Sequence, residues 1–166
     1  MAIRGMNHAV LYVRNAERTA RFYREVLGFR EITRFGDGVG IFLQAPDSTN
    51  DHDIAFFTIG DAAGASTAGR TTVGLYHVAW EVATLADLRE MERRLIEAGA
   101  LVGATDHATT KALYAHDPDG LEFEVSWLVP HDHVTPELLE ARATNKPLDI
   151  DAELALYGPE LAGGGR

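Results

Sequence analysis

Between Thr105 and Glu124 the chain reads TDHATTKALYAHDPDGLEFE, a window holding His107, Tyr114, Asp117-Pro118, Gly120 and Glu124. Imidazole, phenol and carboxylate alternate there with strand-forming apolar residues, around a turn that aims the last carboxylate. These residue types build a metal site with hydrogen-bonding surroundings. Glu124 is one candidate ligand, and further ligands must come from elsewhere in the chain.

The elements that would bring them form a repeat. Residues 6–13 (MNHAVLYV) read as a strand, and Asn15 as the N-cap of a helix that Gly28 ends. FREITRF and VGIFLQ follow as strands around Gly36-Asp37-Gly38, and DIAFFTI is a fourth strand. After the flexible linker Gly60 to Arg70 the order returns. LYHVAWEV is a strand, and Thr84 with Asp87 makes a capping box for the helix LADLREMERRLIEA. Apolar positions Leu85, Leu88, Met91 and Leu95 mark one face of that helix, which ends at Gly99. ALVGAT, KALYAH and LEFEVSW complete the second set. His8 and His77 correspond at an offset of 77 − 8 = 69 residues. The expected fold class is therefore α+β: two tandem βαβββ modules, about residues 5–60 and 72–128, forming one pseudo-symmetric domain with a concave mixed sheet around a metal site. A partly helical extension, residues 131–166, would follow this paired region of residues 1–130, with one helix at TPELLEARATN, another at DAELALY and a frayed GGGR end.

Strand alternation sorts core from site. Tyr76, Val78, Trp80 and Val82 make one apolar face, expected against a helix, and leave His77 on the other. Leu121, Phe123, Val125 and Trp127 likewise leave Glu124 on the opposite face, and His8 shares a phase with Met6, Val10 and Tyr12. His8, His77 and Glu124 would converge from three strands if both sheets curl around one cavity. Two imidazoles and a carboxylate are the facial set that leaves open positions on non-haem Fe(II), although Mn(II), Zn(II) or Ni(II) accept the same donors. The first-half counterpart of Glu124 falls near Phe56, so a fourth protein ligand is missing.

His107, Leu113-Tyr114, Asp117-Pro118, Gly120 and Glu124 together resemble the signature of type I extradiol ring-cleavage dioxygenases. DHDIAFF around His52 and GLYHVAW around His77 resemble the catechol 2,3-dioxygenase branch of the vicinal oxygen chelate superfamily. The resemblance spans Gly5 to Trp127. It implies that His8, His77 and Glu124 ligate Fe(II), with Mn(II) as the alternative. It also implies that His52 is the acid–base residue beside dioxygen, and that His107 and Tyr114 hydrogen-bond the catecholate oxygens. A catechol-type substrate and O2 would be the partners, and a muconic semialdehyde the product. Many members carry two double-module halves, whereas this chain has one, and its linker before His77 is long.

Taken singly, a strand histidine is ordinarily structural; the repeat, the polar phase and the motif argue for ligation by His8 and His77. His52 and His107 would otherwise be surface residues, and Tyr114 core. His116 shares the phase of Tyr114, whereas His131 and His133 read as a solvated turn, as does Asp117-Pro118-Asp119-Gly120. With 166 residues, 46% hydrophobic and 24% charged, the chain can bury a substantial core. A net charge of -10 argues against nucleic acid or an anionic membrane as partner. Zero cysteines exclude disulfides and thiolate chemistry. A cytoplasmic protein, homodimeric or larger, is expected. The competing readings are a same-fold glyoxalase or epimerase type of isomerase or lyase, and a binding protein resembling bleomycin-resistance proteins.

Overall fold

The computed structural model describes residues 2–3, 5–69 and 71–165. Arg70 of the expected linker and Arg166 of the expected frayed end lie outside the described residues. The chain divides into two compact units: the described residues to Ser66 together with Asp117–Gly120, and Thr67–His116 together with the described residues from Leu121.

In the first unit, β1 (Ala9–Val13) leads to α1 (Ala16–Leu27), then β2 (Arg30–Phe35), β3 (Gly40–Gln44) and β4 (Ile54–Thr58). The Asn15 side chain accepts from the Arg18 amide at the start of α1, and Gly28 closes it with φ 79°. The sheet order is β1-β4-β3-β2, with β1 and β4 parallel and the other pairs antiparallel. Tyr23 of α1 packs its ring on Phe29 at 5.4 Å and Phe56 at 4.8 Å. Asp119 belongs with this unit: it accepts from the Arg14 amide and guanidinium at 2.9 and 3.0 Å and from Arg18 at 2.6 Å. The Asp117–Gly120 segment is the expected turn, closed by Gly120 N–H donating to the Asp117 carbonyl, with Gly120 at φ 80°.

In the second unit, β5 (His77–Glu81) and α2 (Leu85–Glu97) precede β6 (Leu101–Asp106), β7 (Thr110–His116) and β8 (Glu122–Leu128). The Thr84–Asp87 capping box forms as expected. The order β5-β8-β7-β6 repeats that of the first sheet, down to one bulge per unit, at Glu31/Thr33 and at Leu101/Gly103. Leu85, Leu88 and Leu95 are buried, as are Val78, Phe123, Val125 and Trp127 on the sheet. Tyr76 departs from the expected apolar face. It precedes β5 and is 69% exposed.

The extension begins with an exposed 3-10 turn over His131–His133, consistent with a solvated HDH. It then forms α3 (Pro136–Ala141), β9 (Lys146–Pro147) and α4 (Ile150–Tyr157). β9 adds a fifth strand to the edge at β6, a pairing no sequence pattern announced. Under α4, Lys111 is buried and its ammonium contacts Asp106 at 2.6 Å and Glu153 at 3.1 Å. The glycine-rich end is not frayed. Gly163 and Gly164 N–H donate to the carbonyls of Ala83 and Leu128 at 2.7 and 2.9 Å, and Leu161 accepts from the Trp127 indole at 3.3 Å.

Candidate metal centre and proton relay

Strand register places the donors of the second unit. β8 lies between β5 and β7, and Cα pairing sets two rows across them: His77–Glu122–His116 and Ala79–Glu124–Tyr114. Alternate residues of a strand share a face, so both rows stand on one side of the sheet. His77 Nε2 lies 3.3 Å from Glu124 Oε2. His77 Nδ1 and His116 Nε2 each lie 3.7 Å from a Glu122 oxygen, too far for a hydrogen bond. Both His77 Nδ1 and the facing Glu122 Oε1 are buried without a hydrogen-bond partner among the described residues.

Glu124 is 9% exposed, and His77 is its ion-pair partner among the described residues. A buried carboxylate without Lys or Arg calls for a cation or strong donors. Tyr114, directly opposite on β7, is one such donor. Burial, reinforced by the charge of Glu124 and the hydrogen bond to it, pushes the Tyr114 phenol up to about 12. The hydroxyl therefore stays protonated near neutral pH, 2.8 Å from His107 Nε2. His107 sits in a closed turn. Its N–H donates to the Thr110 carbonyl, and Ala108, at φ 65°, gives its N–H to Asp106 Oδ1 at 2.8 Å. His107 Nδ1 lies 2.8 Å from Asn145 Oδ1, a partner the sequence did not indicate.

In the first unit, His8 lies one residue ahead of β1 rather than within it. Its ring stands 4.4 Å from that of His52, and Phe42 meets His52 edge-on at 5.1 Å. Each histidine faces an acceptor on the residue before it: His8 Nδ1 is 2.6 Å from Asn7 Oδ1, and His52 Nδ1 is 2.8 Å from Asp51 Oδ2. An acceptor at Nδ1 favours a proton on that nitrogen and turns Nε2 toward other partners. Sequence adjacency in Asn7-His8 and Asp51-His52 was the available signal for these partners.

The structure thus joins His77, Glu124, Tyr114 and His107 in one unit, and His8 with His52 in the other. Among the described residues, no group of three or more His, Asp or Glu side chains is close enough to hold a metal ion. The donor chemistry fits a divalent metal nonetheless. Within the second unit, His77 and Glu124 turn an imidazole nitrogen and a carboxylate oxygen toward each other, a donor pair that suits such an ion. The counterpart of Glu124 needs a one-residue correction. Val10 pairs with Ala55 as Ala79 pairs with Glu124, so the corresponding position is Ala55 rather than Phe56, and it too lacks a donor. Asp53 corresponds to Glu122, but it is taken up by the Ala45 amide, Ser48 and Asn50, each at 2.8 Å.

The family profile of the Glyoxalase/Bleomycin resistance protein/Dioxygenase superfamily matches residues 5–125. The chain belongs to this superfamily. The match runs from before β1 through both repeated sets as far as the first half of β8, stopping one residue past Glu124. A catechol-2,3-dioxygenase of Bacillus subtilis (strain 168) is 30% identical over 120 residues, 72% of this chain and 40% of that protein. The chain therefore spans about two-fifths of that superfamily relative's length. Among solved structures, a glyoxylase/bleomycin resistance protein/dioxygenase domain from Frankia sp. EAN1pec aligns with a TM-score of 0.64 at 25% identity. That alignment covers 80% of this chain and 97% of that one. The fosfomycin resistance protein FosX of Listeria monocytogenes, solved with Mn(II) and sulfate, shares the fold. Its TM-score is 0.55 at 20% identity over 84% of this chain and 99% of that one. Among the described residues, no helix is long and apolar enough to cross a membrane.

Proposed function

We propose that the protein is a metal-dependent extradiol dioxygenase that opens the ring of a catechol-type substrate with O2, giving a muconic semialdehyde-type product. The observation that carries this reading is the Tyr114–His107 pair beside Glu124, which sets a neutral phenol and an imidazole next to the His77–Glu124 donor pair. The 30% identical Bacillus subtilis relative supports it. In this reading His8, His77 and Glu124 are the metal ligands. A divalent metal held by them, Fe(II) by resemblance and Mn(II) as the alternative, would supply Lewis acidity toward the substrate and an electron route to dioxygen.

The chain's own groups handle protons. A catechol must lose at least one proton to bind through both oxygens, and His107 Nε2 is the base within reach of that side through the Tyr114 hydroxyl. Tyr114, held protonated, donates to a substrate oxygen and fixes which oxygen carries the charge. In this reading His52, whose ring stands beside that of His8, is the acid–base residue on the dioxygen side. Both atoms of O2 end in the ring-opened acid, so the reaction needs no external reductant. The isomerase or lyase reading asks for a fourth protein donor, and Ala55 at the paired position weighs against it.

The test is direct. The protein is purified without oxygen, loaded with Fe(II), and mixed with catechol or 3-substituted catechols in air. Oxygen uptake and a yellow ring-fission product are expected; their absence across a catechol panel sinks the proposal.

A further inference from the structure

The C-terminal extension delivers one polar side chain to the relay. Asn145 immediately precedes β9, whose pairing of Lys146 with Asp106 and Pro147 with Thr105 sets it beside the β6–β7 turn that carries His107. The segment is anchored beyond that point by the Lys111–Glu153 contact, by buried Ile150, and by the Tyr157 ring 5.4 Å from Trp127. Asn145 is thus held where its Oδ1 meets His107 Nδ1 at 2.8 Å.

An amide oxygen only accepts, so this contact requires a proton on His107 Nδ1. In the neutral ring Nε2 is then a bare acceptor facing the Tyr114 hydroxyl at 2.8 Å. When the ring takes a second proton, that proton resides on Nε2 and points at the Tyr114 oxygen. In both states Nε2 is the exchanging position. Without the amide, the neutral ring is free to place its single proton on Nε2, where it blocks the base.

We infer that Asn145 is a positioning residue that fixes the His107 tautomer and makes the C-terminal extension part of the active site. The inference rests on the proposed catechol chemistry only for its effect on turnover. The tautomer itself is a property of the folded chain, and it is read without any reaction.

The experiment is nitrogen-15 spectroscopy of the histidine rings in the full-length protein, saturated with Zn(II) as a diamagnetic ion, with His107 assigned through His107→Gln. In the parent, the His107 ring is expected as the Nδ1–H form; a neutral Nε2–H ring overturns the inference with no variant needed. Asn145→Ala should convert the ring to a mixture or to the Nε2–H form, and Asn145→Asp, which keeps an acceptor, should restore Nδ1–H. An unchanged ring in Asn145→Ala, or a ring lost equally in both variants, also overturns it. Where the Fe(II) enzyme turns over catechol, kcat of Asn145→Ala should fall about tenfold at nearly constant KM, with rescue by Asn145→Asp. If no catechol is cleaved by the parent, the dioxygenase reading fails while the tautomer result still stands or falls by itself.

Discussion

Tyr114 has one proton and two acceptors within reach, Glu124 and His107 Nε2. Its value therefore lies in the hydroxyl and not in the ring. Tyr114→Phe keeps the aromatic surface and removes only the shared proton. Bound iron should stay stoichiometric, while kcat for catechol cleavage should fall by about 10²-fold, the scale of a lost acid–base contribution. Steady-state kinetics beside metal analysis check this, and loss of the metal would mean that the hydroxyl holds Glu124 in place instead. At this scale the sequence was readable wherever partners are contiguous or in strand phase: His107, Tyr114 and Glu124 lie in one window, and His77 and Glu124 share a face. Glu122 was readable too, through its phase with Glu124. Asn145 was not, because a two-residue strand carries no periodicity and only tertiary pairing brings the amide to His107.

The paired elements repeat more faithfully than their residues do. Both sheets have the same order, the same parallel pair and one bulge at the same place, yet the second alone gains β9 and α4. Helix limits were legible because caps are local: Asn15, Gly28 and the Thr84–Asp87 box act within four residues. The extension was legible in part: the helices expected at TPELLEARATN and DAELALY form as α3 and α4, but their docking was not, because Lys111 meets Glu153 only through the tertiary fold. Lys111→Met removes the ammonium and leaves the Asp106 and Glu153 carboxylates largely buried. A cost of about 3–5 kcal/mol is expected for breaking such a cluster on one side. Denaturant unfolding measures it, and amide exchange should rise first in α4. A variant as stable as the parent would show that the cluster contributes nothing net. On the exposed face of α2, Arg93 and then Arg94 hydrogen-bond Glu90 and hold its carboxyl at about 2, below its ordinary 4.5. A depressed carboxylate stabilises above its unfolded value and loses that contribution as pH falls through the folded one. Glu90→Gln should therefore differ most from the parent above about pH 4.5, the difference should fade as pH falls toward about 2, and it should shrink in high salt, because exposed pairs are screened.

For the molecule as a whole, the metal is the link that the proposal adds between two separately built sets of side chains. His77 and Glu124 are in one unit and His8 in the other, and neither set alone supplies three donors among the described residues. A metal that binds the folded chain and not the unfolded one raises stability by about 2.7 kcal/mol at a hundredfold excess over Kd. Adding Fe(II) without oxygen should accordingly raise Tm in a concentration-dependent way, and a chelator should reverse the rise. The variants then locate the ligands. His77→Ala and Glu124→Ala should each abolish the shift while the metal-free Tm changes little, since both side chains stand on the sheet face away from the Phe123 and Trp127 core. His8→Ala is the deciding case. Loss of the shift supports a ligand set drawn from both units, with His8 as the third donor. A full shift in His8→Ala would instead place the metal wholly in the second unit, where Glu122 and His116 continue the row that begins at His77.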